Sequence, residues 1–232
     1  MTILSAMQSA AVRLVGYRPS VFFTSSEQFE LEISDLVNEV AHDICKYSDW
    51  QALTKVHNIP TDGVTDVFPL PDDYDRQLLV ADMRDMNGWA LGYCHVPSVN
   101  DFIDYRLDSA LGAWTIYQNQ FHFSRPPAPG NSAAFPYVSL NYAINQAGNP
   151  MPEFAADTDE FIIRGAERLL TLGLVWRWRE NKKLDYTGDQ EAFMMLIDQL
   201  AAKDKGSNVQ RSRSRTLTGR LDTRAAWPFT LG

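Results

Sequence analysis

Apolar residues recur at helical spacing towards both ends of this chain, and in short strand-like runs between them. Leu4, Met7, Ala11 and Leu14 form one stripe, which predicts a helix over roughly residues 3–15. Thr2 is placed to cap it, Gly16 to stop it and Pro19 to prevent its return. A second helix is expected from Ser25 or Ser26 to about Tyr47. Phe29, Ile33, Leu36, Val40 and Ile44 define its inner face, and Glu30, Asp35, Glu39 and Asp43 its outer one. Trp50, with Ala52 and Leu53, reads as an anchor packing the exit of that helix.

The dominant pattern is Asp157–Tyr186. Asp157 or Thr158 is placed to accept from first-turn N–H groups, and Asp159 and Glu160 sit where the helix dipole favours anions. Ile162, Ile163, Ala166, Leu169, Leu170, Gly173, Leu174, Trp176 and Trp178 then cover most of the circumference. A helix apolar nearly all round is expected at the centre of the molecule. A last helix is expected over Asp189–Lys203, apolar at Phe193, Leu196, Ile197 and Leu200, with Gly206 ending it.

Between these segments the period shortens. Lys55–Ile59 and Val64–Phe68 read as strands around Pro60–Gly63, and 69–77 as a proline-punctuated loop. Trp89–His95 reads as a strand, and Val99–Leu107 as a short helix capped by Ser98. Trp114–Gln118 and Gln120–Ser124 read as a hairpin turning near Asn119, with Ile116 and Tyr117 opposite Phe121 and Phe123. Pro126–Gly130 is a turn. Ala134–Leu140 is a strand that Pro136 assigns to an edge or a bulge, and Asn145–Pro152 links back to the helices. The fold class expected is α+β, mainly α. Residues 1–54 and 153–206 form a four-helix bundle, 55–152 a small antiparallel β-rich insertion, and 207–232 an extended arm.

Charge sharpens the picture of the arm. The chain has 232 residues, 45% of them hydrophobic, and a net charge of −8. Residues 207–232 hold five arginines, Arg211, Arg213, Arg215, Arg220 and Arg224, against one acid, Asp222. The arm is therefore +4 and the rest −12. An acidic body argues against a dedicated nucleic-acid binder, whose footprint would be basic. The arm has too few apolar residues to offset its own ordering, so alone in solution it is expected to be flexible. Its arginines suit phosphates or the carboxylates of a protein partner. The protein partner is the better match, because Leu217, Trp227 and Phe229 add the apolar anchors that interfaces use beside arginine. No run of 18 apolar residues occurs, so no membrane span is expected, and the N-terminus lacks the basic start of a signal peptide.

Candidate chemistry is sparse. His42 and Cys45 are three apart on a predicted helix, the spacing of a base and a nucleophile, but no third group orients them. Cys94 and His95 are adjacent on a predicted strand and so point to opposite faces. Asp72, Asp73 and Asp75 cluster without the glycine and terminal glutamate of a calcium loop. No phosphate loop, nucleophile elbow, zinc helix or paired cysteine motif is present. We expect no catalytic residue, cofactor or metal.

Four segments, SDWQALTK (48–55), PLPDDYDR (69–76), IYQNQFHFSRPPAPGNSAAFPYVSLN (116–141) and LLTLGLVWRWRENKKLDY (169–186), together resemble the head-to-tail adaptor (connector) proteins of tailed bacteriophages. The resemblance implies a non-enzymatic virion protein in the neck, assembled from the host cytoplasm into a ring of twelve copies below the portal. The ring would carry tail or nozzle proteins and continue the channel through which DNA passes without specific binding. The C-terminal arm would dock on the portal protein, through Arg211, Arg213, Arg215, Leu217, Arg220, Arg224, Trp227 and Phe229. The class-level alternative is a nucleic-acid-binding packaging or assembly factor that uses the same arginines.

Overall fold

The computed structural model describes residues 2–78, 83–85, 94–108, 112–130 and 132–204. The elements, in chain order, are helices α1 (Ile3–Val15) and α2 (Gln28–Tyr47), a short 3-10 turn (Gln51–Leu53), and strands β1 (Thr54–Pro60), β2 (Val67–Pro69), β3 (Tyr74–Gln77), β4 (Arg84–Asp85) and β5 (Cys94–His95). Helix α3 (Val99–Asp108) follows, then β6 (Ala113–Tyr117), β7 (Gln120–Phe123), β8 (Ser132–Ser139), β9 (Ala143–Ile144), β10 (Pro150–Met151) and β11 (Glu160–Phe161). Helices α4 (Glu167–Asn181) and α5 (Thr187–Asp204) close the described chain.

Helix α4 is the hub. Its residues Leu169 to Trp176 are all buried, and α1, α2 and α5 each pack on it, while no pair among those three makes a comparable contact. The arrangement is a hub with three satellites; a four-helix bundle in which each helix flanks two others is not what the contacts describe. Gly173 makes the closeness possible: a Cβ there would lie 2.3 Å from Val40 Cγ1 of α2 and 3.1 Å from the Phe193 ring of α5. The expected core residues fall as follows. Ile33, Leu36, Val40, Trp50, Ala166, Leu169 and Trp176 are buried, and Phe29 and Ile162 are partly buried against the same cluster.

Two corrections concern this layer. The hub helix does not start at Asp157. Gly165 adopts φ +78°, a left-handed conformation that interrupts any helix, and α4 begins only after Ala166. Asp157 caps nothing on α4. Its carboxylate accepts from the Phe22 and Phe23 N–H groups, at 3.1 and 3.4 Å, and ties the loop after α1 to this segment. Asp159 likewise turns inward, accepting from Ala155 N and Ala156 N. Glu30, expected on the outer face of α2, is buried, with Tyr17 Oη donating to it at 2.6 Å.

The middle of the chain forms two four-stranded sheets face to face. One runs β1-β8-β3, with β4 also on β8; the other runs β2-β7-β6-β5. Trp114 and Phe121 of the second sheet meet Phe135 of the first at ring-centroid distances of 5.4 and 4.7 Å, both near-perpendicular. The hairpin turns on Gln118 and Asn119, both with positive φ, the geometry of a two-residue type I′ loop. Ile116 pairs with Phe121, Tyr117 with Gln120 and Trp114 with Phe123.

Three expectations change here. Residues 74–77, read as loop, are strand β3. The strand expected over Val64–Phe68 forms only from Val67, because the Asp62 carboxylate accepts from Val64 N, Thr65 N and Thr65 Oγ1 and holds 62–65 in a turn. Pro136 lies in a central strand. β8 pairs β1 throughout, whereas on its other side β3 covers 137–139 and β4 covers 133–134. Pro136 sits in the gap between those two partners, where no ladder donor is required. Of the strand expected over Trp89–His95, Cys94 and His95 are in β5 and 89–93 lie outside the described residues.

Candidate interaction surfaces

The residues nominated for chemistry are either built into the fold or scattered on its surface. Cys45 is buried at the end of α2, and burial, with the nearby Asp75 carboxylate adding to it, pushes its thiol up to about 12. His42 is exposed on the same helix, so base and sulfur do not converge. Cys94 is exposed, and His95 stacks on Trp114 at 4.4 Å.

The acidic loop is a clamp. Asp73 accepts from Lys55 Nζ at 2.5 Å and from Tyr137 Oη and Ser139 Oγ at 2.7 Å. Burial opposes its ionisation, but these three donors outweigh it and hold the carboxyl at about 2. Asp75 pairs with Lys46 of α2. Arg76 donates to Asp49 Oδ1 at 2.5 Å, to the Ser48 carbonyl at 3.0 Å and to the Cys45 carbonyl at 3.4 Å. Strand β3 is thereby locked to the C-terminus of α2, where a cation also complements the helix dipole. Asp72 is exposed. No three metal-ligating side chains gather among the described residues.

A second cation organises the helices. The Arg177 guanidinium lies 4.3 Å over the Trp176 ring and reaches Asp43 at 2.5 Å, Glu180 at 3.3 Å and Glu39 at 3.8 Å. Sequence reading placed Glu39 and Asp43 outside without a partner. Arg177 shares α4 with Arg168 and Arg179, and only its place between Trp176 and Trp178 sets it apart in the sequence.

What remains for contact with other molecules is surface. A cavity of about 320 Å³ opens between the N-termini of α1 and α4, lined by Thr2, Glu160, Phe161, Arg164 and Glu167 among others. Exposed apolar side chains include Val12, Val15, Tyr17 and Val21 around the end of α1, Val99, Ile103 and Leu107 along α3, and Met194 and Met195 on α5, with Leu184 just before it. No described helix is long and apolar enough to cross a membrane. The arm residues nominated from sequence, Arg211, Arg213, Arg215, Leu217, Arg220, Arg224, Trp227 and Phe229, lie outside the described residues.

A family model described as SU10 adaptor protein matches residues 1–224. The match spans nearly the whole chain, the first part of the arm included, and the chain belongs to this family of phage head-to-tail adaptors. No curated protein matches the sequence.

Proposed function

We propose that this member of the SU10 adaptor protein family is a structural connector in the virion neck, a closed dodecameric ring that joins the portal to the tail or nozzle proteins. The observation that carries the reading is the division of charge: +4 on residues 207–232 and −12 on the rest. A cationic arm ending in Trp227-Pro228-Phe229 suits a groove on another protein, which the arm would order into at assembly. Repetition around a ring multiplies weak contacts, so no single arm has to bind tightly. Neighbouring copies would meet through a heterologous interface that closes by rotation. An acidic lumen would repel phosphates and let DNA slide through.

The body supports a structural reading. Asp73, Asp75, Arg76 and Arg177 are engaged in clamps, its one buried thiol is held protonated, and two large apolar clusters fill its interior. Ending the chain after Gly206 tests the proposal. The expected result is loss of portal docking with DNA affinity unchanged. A truncated chain that docks normally but loses DNA affinity would favour the packaging-factor reading.

A further inference from the structure

The outward face of α5 has a pattern that the connector role alone does not require. Glu191, Met195, Asp198 and Ala202 follow one another at helical spacing and are all exposed, and Met194 stands beside them. Met195 is 64% exposed and Met194 45%. Two bare methionines thus sit between two carboxylates. Among the described residues Glu191 has no ion-pair partner, and Asp198 accepts only from the Tyr47 hydroxyl. The inner face of the same helix is satisfied separately, by Phe193 and Ile197.

We infer that this face is the resting seat of the chain's own C-terminal segment, residues 207–232, before it meets the portal; the inference rests on the docking role proposed above. The chemistry of the two surfaces matches. The segment offers alternating arginines at 211, 213 and 215, then Arg220 and Arg224, then Trp227 and Phe229. Arginine suits the two carboxylates, and an aromatic ring against a thioether sulfur is a favourable contact. The segment follows α5 in the chain, separated from Asp204 by two residues. Its first 22 residues can span roughly 70 Å when extended, against about 27 Å for the 18-residue helix, so it can turn and run back along α5. Tethering gives the contact a local concentration that a free partner in dilute solution lacks. Surface charge pairs are individually weak, so the seat holds the arm without trapping it. Portal docking then exchanges one acidic, apolar surface for another, and the methionines are uncovered as the arm leaves.

Peroxide oxidation of the full-length chain, read by peptide mass, tests this directly. Met194 and Met195 are the probes, and buried Met7 reports that the fold is intact. The expected result is that Trp227→Ser with Phe229→Ser, or salt at about 0.5 M, speeds oxidation of Met195 about threefold or more, with no dependence on protein concentration. Glu191→Lys should do the same and should also raise the rate of portal association. Equal oxidation in all chains overturns the inference. So does protection that disappears on dilution, which would assign the seat to a second copy's arm. Portal docking that still requires the arm, without methionine protection, would remove the resting seat and leave the docking role standing. Protection in a chain that never binds portal would remove the docking role.

Discussion

Gly173 on α4 and Val40 on α2 approach so closely that a single added carbon on the glycine would lie 2.3 Å from Val40 Cγ1. No real Cβ tolerates that separation, so the spacing of the two helices depends on the missing side chain. Gly173→Ala gains up to about 1 kcal/mol of helix propensity and loses about 1–3 kcal/mol to overpacking. The net expectation is destabilisation in urea unfolding. Val40→Ala opens the space, so the double variant should be less destabilised than the two single variants added together.

Arg76 is the pin between the sheets and the helical layer. Arg76→Met removes donors from Asp49, the Ser48 carbonyl and the Cys45 carbonyl. We expect a loss of about 1–3 kcal/mol, with amide protons at the C-terminal turn of α2 and in β3 exchanging faster while those of α4 keep their protection.

Some of this architecture was legible in the sequence. Helix α1 matches its expected bounds, and its stop at Gly16 has φ +79°. Ser98 accepts from Asp101 N at 3.3 Å at the start of α3, as a cap should. The hairpin turn near Asn119 was readable from the spacing of aromatic residues on either side of it. The failures share a cause, in that local pattern cannot show distant partners. Ile162, Ile163 and Ala166 have helical spacing, yet Gly165 breaks the run and the backbone before it pairs with β9 and with Thr2, just ahead of α1. Pro136 reads as an edge because the gap between β3 and β4 is a property of two other strands. Glu30 reads as surface because its partner Tyr17 lies in a loop. The clamp of Asp73 and Asp75 reads only as part of a proline-punctuated loop for the same reason: Lys46, Lys55, Tyr137 and Ser139 are far away in sequence.

Asp73 gives a pH signature. Its carboxyl is held at about 2 in the folded protein, against an ordinary 3.8. A depressed folded pKa contributes stability that is complete above the unfolded value and is lost as pH falls through the folded one. Unfolding free energy should therefore drop between about pH 4 and pH 2. Asp62, fully exposed in its turn, shares that window, so the test is the difference between chains. Asp73→Asn should be less stable at pH 7 and should show a shallower acid decline than the parent chain.

The two cysteines should differ in reactivity. Cys94 is exposed, whereas the Cys45 thiol is buried and pushed up to about 12. Iodoacetamide at pH 8 should label one cysteine in the native protein, Cys94, and both after denaturation. Cys45→Ser should leave portal docking unchanged, because the thiol only fills the end of the helical core. Rapid native labelling of Cys45 would contradict its placement there.

The central claim is that the cationic arm joins this protein to another one. Cryo-electron microscopy of the neck in intact particles tests it most directly. The account predicts residues 207–232 in contact with the portal protein, with the arginines facing carboxylates and Trp227 or Phe229 seated in an apolar groove. Arms that touch no other protein chain, or that lie along the DNA, would contradict it.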